Sequence, residues 1–136
     1  MGKPSFDVYE KFVKRFNALK ARFKKEQYLV NYFISGHPGS SLSEALDLAV
    51  TLAEKRINPK QIQDFLPLPM TASGCMYYTA KDPFTGNPVY VPKGERERKL
   101  HRSLIQFKNK ENKKYVIEAL KKLGKMNLVK KLYGWA

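Results

Sequence analysis

Phe33-Ile34-Ser35-Gly36-His37-Pro38-Gly39-Ser40-Ser41-Leu42-Ser43-Glu44-Ala45 is the stretch on which the fold turns. An apolar run breaks at a Gly-His-Pro-Gly turn, and a helix starts directly behind it. A strand, a phosphate-loop-like turn and a helix start place free backbone N–H groups and the positive end of a helix dipole at the carboxyl end of a strand. That is where α/β proteins bind charged small molecules. On the amino-terminal side, Tyr28 to Ser35 is almost continuously apolar, β-branched or aromatic, which predicts a strand buried on both faces, as in parallel sheets. On the carboxyl side, Ser41-Leu42-Ser43-Glu44 has the spacing of a capping box. Leu42, Ala45, Leu46, Ala49, Leu52 and Ala53 then line one helical face as far as Arg56.

Working outward, Gln61-Ile62-Gln63-Asp64-Phe65-Leu66 reads as a second strand, stopped by Pro67 and Pro69 because proline cannot donate to a sheet ladder. Strand, helix, strand is a crossover unit with a parallel pair. Before it, Phe6, Tyr9, Phe12, Val13, Phe16, Leu19 and Phe23 recur at helical spacing behind Pro4-Ser5, predicting an amphipathic helix over 6–25. Its aromatic stripe suits packing against a sheet, or a docking surface for another protein. Beyond the second strand, Thr71 to Tyr78 reads as a short helix or a loop. Asp82-Pro83-Phe84-Thr85-Gly86-Asn87-Pro88 heads a small hairpin reaching Tyr90 and Val91. Leu100, Leu104, Ile105 and Phe107 mark one further helix. Tyr115, Val116, Ala119, Leu120 and Leu123 mark another that ends at Gly124, with Asn109 to Asn112 as the break. Leu128, Val129, Leu132, Tyr133 and Trp135 predict a short closing turn.

Composition bounds the possibilities. A chain of 136 residues with 43% hydrophobic and 12% aromatic content is long enough for one domain with a real core. No run approaches the roughly 18 apolar residues of a membrane helix. The start Met1-Gly2-Lys3-Pro4-Ser5 lacks the apolar centre of a signal peptide, so the expected location is cytoplasmic, with no membrane partner. One cysteine, Cys75, forms no internal disulfide and no multi-cysteine metal site. The net charge of +14 divides as +5 over residues 1–60, −1 over 61–92 and +10 over 93–136. The last third therefore presents either a solvated lysine-rich surface or a face for an anionic partner, with nucleic acid the usual one.

Taken in order, Phe33 to Leu42, then Gln61 to Phe65 with Pro67 and Pro69, then Cys75-Met76-Tyr77-Tyr78-Thr79, then Asp82-Pro83-Phe84-Thr85-Gly86 and Val89-Tyr90-Val91-Pro92, resemble the carboxyl-terminal part of the YgiQ-type radical S-adenosylmethionine proteins. The similarity runs from about Lys3 to Gly124, and departs after Met126. It implies an α/β fold: a partial (β/α) barrel fragment, of which residues 1–80 hold the carboxyl-terminal end, with an N-terminal amphipathic helix, a small hairpin and a basic, mainly helical C-terminal extension over 81–136. It also implies an enzyme whose 4Fe–4S cluster rests on a C-x-x-x-C-x-x-C loop that this sequence lacks. Three thiolates are needed and one is present, so neither the cluster nor S-adenosylmethionine is expected to bind stably to this chain alone. The missing N-terminal portion, on the same or a separate polypeptide, becomes the implied partner. By analogy of motif, Ile34, Ser35, Gly36, His37, Pro38 and Gly39 correspond to a glycine motif whose backbone lies near S-adenosylmethionine. Ile62, Gln63, Asp64 and Phe65 correspond to the strand near its adenine.

Read as chemistry, Gly36 and Gly39 suit a backbone that approaches a ligand, or any tight strand-to-helix turn. His37, without a second ligand at metal spacing, reads as a turn residue bonded locally. Cys75 reads as a buried, inert thiol, and His101, between Arg98 and Arg102, as a surface residue. Residues 93–136 interleave cations with Phe107, Tyr115, Tyr133 and Trp135, so a free-standing RNA-binding module using the face formed by residues 93–131 is the rival function. Its contacts would be Arg96, Arg98, Lys99, Arg102, Lys113, Lys114, Lys121 and Lys122. The spacing of Phe107 and Tyr115 nonetheless places both on apolar faces, as core. A third reading is an assembly module, a homo-oligomer in which a second copy covers the edge of the strand at 28–35.

Overall fold

The computed structural model describes residues 4–134, so Trp135 of the expected closing turn lies outside the described residues. The chain divides into two units, residues 4–31 and 32–134.

In the first unit, α1 (Phe6–Phe23) forms where the aromatic periodicity predicts, and ends as Lys24 turns left-handed at φ 49°. Past it, the Tyr9 hydroxyl donates to Asn31 Oδ1 at 2.6 Å, and the Lys20 ammonium lies 4.4 Å from the centre of the Tyr28 ring. None of the residues of α1 is buried, and Phe6, Phe12, Leu19 and Phe23 are exposed. The stripe is thus amphipathic as expected, but it is not core.

The second unit is mixed α/β and mostly helical, built on a small parallel sheet. β1 (Ile34–Ser35) pairs in parallel with β2 (Gln63–Asp64), with Ile34 opposite Gln63 and Ser35 opposite Asp64. The expected strand over 28–35 is therefore cut to its last two residues. Val30 is 90% exposed and Tyr28 and Tyr32 are exposed, because no second strand covers them among the described residues. A lone two-strand pair has no sheet face against which a longer strand could lie.

Between the strands, α2 (Leu42–Glu54) carries the predicted capping box: Glu44 N–H donates to Ser41 Oγ at 3.3 Å, and Ser41 N–H to Glu44 Oε2 at 2.6 Å. Its buried face (Ala45, Leu46, Ala49, Leu52 and Ala53) packs on α4 (Glu95–Ile105) through Leu100, Leu104 and Ile105. Phe107, then Val116, Ala119 and Leu120 of α5 (Lys113–Lys122), and Leu132 of the closing α6 (Val129–Tyr133), complete this one core. The core draws on both sides of position 80. Thr71 to Tyr78 resolves as helix: α3 (Ala72–Thr79) is capped by Thr71, whose hydroxyl accepts from Gly74 N–H at 3.0 Å.

The expected hairpin forms from Ala80 to Val89, where Val89 N–H donates to Ala80 C=O and Asp82 N–H to Asn87 C=O, each at 2.8 Å. Lys81 and Pro88 form a single antiparallel bridge, and the Asp82 carboxylate accepts from Phe84 and Thr85 N–H to close the turn. Beyond Val89 the chain leaves this pairing and crosses the Gly36–Gly39 turn instead, where Gly39 N–H donates to Tyr90 C=O at 2.8 Å. No helix of the described residues is long and apolar enough to cross a membrane.

Candidate functional site

The parallel register brings the first residues after both strands to the same end of the sheet. Phe65 N–H donates to Ser35 C=O at 2.7 Å, which fixes Phe65 beside the turn that follows β1. The rings of His37 and Phe65 meet edge to face with centroids 4.9 Å apart, and Tyr77 of α3 extends the shelf 5.8 Å from Phe65. The Lys93 ammonium stands 5.7 Å from the Tyr77 centroid. His37 Nδ1 lies 2.7 Å from Pro38 C=O. A carbonyl can only accept, so Nδ1 donates there, and Nε2 is the ring nitrogen left without a partner among the described residues. The expected local bond of His37 is thus present, and it leaves one ring nitrogen for other use.

Three of the amide donors expected at this turn are taken up within the chain. Gly39 N–H is held by Tyr90 C=O, Ser40 N–H donates to His37 C=O at 3.0 Å, and Ser41 N–H goes to Glu44. Gly36 (φ 68°) and Gly39 (φ 82°) do need glycine, but the neighbour they admit belongs to the chain itself. A Cβ on Gly36 would stand 3.4 Å from Pro92 Cγ, and one on Gly39 3.8 Å from Val89 Cγ1.

Among the other expected contacts, Pro38 is buried and Ile34 half-exposed. Ser35 is buried on the side of β1 that packs on α4, and its hydroxyl has no partner among the described residues. Ile62 leans on the core, while Gln63 accepts from the Tyr32 hydroxyl. Asp64 is held by Arg102 at 3.0 Å, and the same guanidinium reaches Ile62 C=O at 3.5 Å. Asp64 and Arg102, read from the sequence as contacts for two different ligands, are each other's partners.

Two readings of single residues reverse. His101 is 1% exposed, stacked on Tyr90 at 6.2 Å with its Nε2 3.4 Å from the Tyr90 hydroxyl, which itself bonds Glu97. Burial holds the His101 imidazole below its ordinary pKa, against an opposing pull from Glu97. Burial also leads the upward push on the Tyr90 phenol, with Glu97 adding to it. Cys75, expected to be buried, is exposed beside an apolar cleft of about 430 Å³ that includes Leu68, Met70, Tyr78 and Phe84. Its helix buries only Gly74. One thiol cannot replace the three thiolates a 4Fe–4S cluster takes, so the residues of this chain do not fit that group. The ring shelf and strand-end backbone do fit the flat, apolar face of an adenine.

The basic residues separate into two sets. Arg96 and Lys122 are bound to Glu118, Arg102 to Asp64, and Lys131 to Glu54. The bond from Arg96 holds the Glu118 carboxyl below its ordinary range. Arg98 and Lys121 are exposed. Lys99, Lys113 and Lys114 instead converge with Lys110, which sequence reading missed, on a groove of about 920 Å³ around Tyr115. The ammoniums of Lys99 and Lys114 lie 5.3 and 5.0 Å from the Tyr115 ring centre, and that of Lys113 lies 5.8 Å from the Tyr133 ring. Phe107 is core as expected, whereas Tyr115 is half-buried with one side in this groove.

The chain is similar to proteins called UPF0313 proteins. It is 46% identical to one of Methanosarcina mazei over 129 residues, which is 95% of this chain and 21% of the relative. It is 39% identical to one of Geobacter sulfurreducens over its full length, 22% of that protein, and 40% identical to one of Clostridium perfringens, covering 95% of this chain and 20% of that one. The chain thus spans about a fifth of the length of these curated relatives. No solved structure matches it significantly. A domain of unknown function, DUF3362, matches residues 60–131, from the approach to β2 through the lysine groove to α6, and with more than half its length so matched the chain belongs to the DUF3362 family.

Proposed function

We propose that this chain is the carboxyl-terminal part of a radical S-adenosylmethionine enzyme, and that the carboxyl ends of β1 and β2 form one wall of its S-adenosylmethionine pocket. The observation that carries the reading is the parallel register, which sets His37 and Phe65 edge to face at 4.9 Å at one end of the sheet. That end is where open α/β sheets take their ligands. The adenine would lie against Phe65 and Tyr77, with backbone of residues 62–65 along its edge and His37 Nε2 as an acceptor for its amino group. Asp64, pinned by Arg102, holds the end of β2 in place.

On this reading residues 1–80 finish a partial barrel and residues 81–136 are the extension whose helices fill its core. The four-fifths of the relatives' length that lies outside the match leaves room for the cluster loop. Bound in the complete polypeptide, S-adenosylmethionine and the cluster supply reductive radical chemistry. The residues of this chain bind and orient the adenosyl half and exclude water from its ring.

The test is anaerobic reconstitution of the whole Methanosarcina mazei polypeptide, with S-adenosylmethionine affinity measured by calorimetry. Alanine at the positions aligned with Phe65 and His37 is expected to weaken binding roughly five- to tenfold each, as loss of a ring contact worth about 1 kcal/mol requires, with the iron–sulfur absorption unchanged. A reconstituted polypeptide that binds no S-adenosylmethionine, or binds it equally well in both variants, refutes the reading.

A further inference from the structure

We infer that the lysine groove around Tyr115 binds the backbone of single-stranded RNA, a function independent of the cofactor wall. The groove joins two elements distant in sequence: Lys99 from α4, and Lys110, Lys113 and Lys114 from the 3₁₀ turn at Lys110–Asn112 and the first turn of α5. None of the four lysines has a carboxylate within ion-pair distance among the described residues, whereas Arg96, Arg102, Lys122 and Lys131 all do. Four cations without a carboxylate partner therefore meet in one groove.

The backbone that presents these lysines is fixed in advance. Asn109 Oδ1 accepts from Glu111 N–H at 3.1 Å, and the buried Asn112 side chain donates to Gln106 C=O at 3.1 Å. The Tyr115 ring gathers the ammoniums of Lys99 and Lys114, with the Arg96 guanidinium 4.8 Å from its centre, so cations that would repel one another in open solvent are held together. Such a cluster asks for a ligand with several anionic groups in a row. Lysine, a point charge with rotatable donors, suits phosphates in a chain better than the planar fork needed for bidentate carboxylate recognition.

Glu111 is the one carboxylate in the lining. Amid lysines it repels a phosphate but accepts from a hydroxyl, and the ribose 2′-OH is the donor that distinguishes RNA from DNA. The groove thus offers phosphate contacts and a reader of the sugar.

The experiment titrates the 136-residue chain against a fluorescent single-stranded RNA and the DNA of the same sequence, by anisotropy over a range of salt. Four neutralised phosphates predict a slope of log K against log salt of about −2.8, and the triple variant Lys99→Gln/Lys113→Gln/Lys114→Gln lowers it to about −0.7. The charge-matched control Lys14→Gln/Lys24→Gln/Lys25→Gln keeps the parent slope. RNA binds more tightly than DNA, and Glu111→Gln narrows that preference. If the triple variant fails to fold by circular dichroism, Lys113→Gln and Lys114→Gln are read singly, each reducing the slope by about 0.7. Absence of RNA binding at low salt, equal loss in the control, an unaffected groove variant, or displacement of RNA by polyglutamate of equal charge would overturn the proposal, the last in favour of an acidic protein.

Discussion

Replacing Gly36 by alanine tests whether the turn after β1 is shaped by its own covering segment. Gly36 sits at φ 68°, where a residue with a Cβ carries a strain of roughly 1–2 kcal/mol. The lower entropy of the unfolded alanine chain offsets about 0.4–1 kcal/mol of that. Gly86 has a similar φ of 73° with nothing within 4 Å of a built Cβ, so Gly86→Ala reports the conformational cost alone, a net of about 1 kcal/mol. At Gly36 the new methyl stands 3.4 Å from Pro92 Cγ, and Pro92 is fully buried and cannot give way freely. The Gly36→Ala loss should therefore exceed the Gly86→Ala loss. With a urea dependence of about 2 kcal/mol per molar, the Gly86 variant loses about 0.5 M in its unfolding midpoint and the Gly36 variant more. Urea titrations followed by far-UV circular dichroism give both numbers. A Gly36 variant as stable as the parent, or less affected than the Gly86 variant, would refute the close approach of Pro92 to this turn.

Two further outcomes follow from the electrostatics. Burial lowers the folded-state pKa of His101 below its unfolded value of about 6.5, so as pH falls through 6.5 the unfolded chain takes up a proton that the folded chain refuses. Stability present above that pH is lost below it, down to the folded pKa, and the urea midpoint at about pH 5.5 should lie under that at about pH 7.5. His101→Gln flattens this part of the profile, and an unchanged slope in that variant contradicts the assignment. At the start of α2, Ser41→Ala removes the acceptor for Glu44 N–H and should cost about 1 kcal/mol. The Glu44 carboxyl is held below its ordinary value by the bond from Ser41 N–H and then by the Ser41 side chain. Its contribution is present above the unfolded carboxylate value of about 4.3 and lost as pH falls through the lower folded value. Glu44→Gln should therefore show a shallower acid limb in the same titration.

What could be read from the sequence was what is local. The capping box at Ser41–Glu44 is a four-residue motif satisfied within itself, and the period of α4 and α5 is written in their own apolar residues. The parallel pairing of β1 with β2, though not its register, followed from two short runs bounded by glycine and proline. Position 101 was also legible and was misread. Arginines at 98 and 102 suggested surface, yet 101 lies one turn before Ile105 and beside Leu100 on the buried face. Periodicity outranks the charge of neighbours when the two disagree. By contrast, nothing near Asp64 announces Arg102, 38 residues away, and nothing near Lys99 announces the lysines at 110–114. The strand expected over 28–33 failed for another reason: its residues carry the hydrophobicity of a buried strand, but burial needs a neighbour. On the proposed reading, that neighbour belongs to the rest of a polypeptide about five times longer.

The covering of the Gly36–Gly39 turn also decides which ligands each end of this protein can serve. A glycine turn ahead of a capped helix invites an anion only while its amides are free. Here Tyr90, His37 and Glu44 occupy the amides of Gly39, Ser40 and Ser41, so a phosphate arriving at that turn finds no donors waiting in them. Beside those amides lies ring surface: the edge-to-face pair of His37 and Phe65, continued by Tyr77. That chemistry favours an aromatic heterocycle over an anion. The proposed phosphate contacts lie instead where lysines lack carboxylates, around Tyr115. The two surfaces therefore respond to different perturbations. Salt should weaken binding at the lysine groove steeply and leave adenine recognition at the strand ends almost unchanged, because only the first releases counterions.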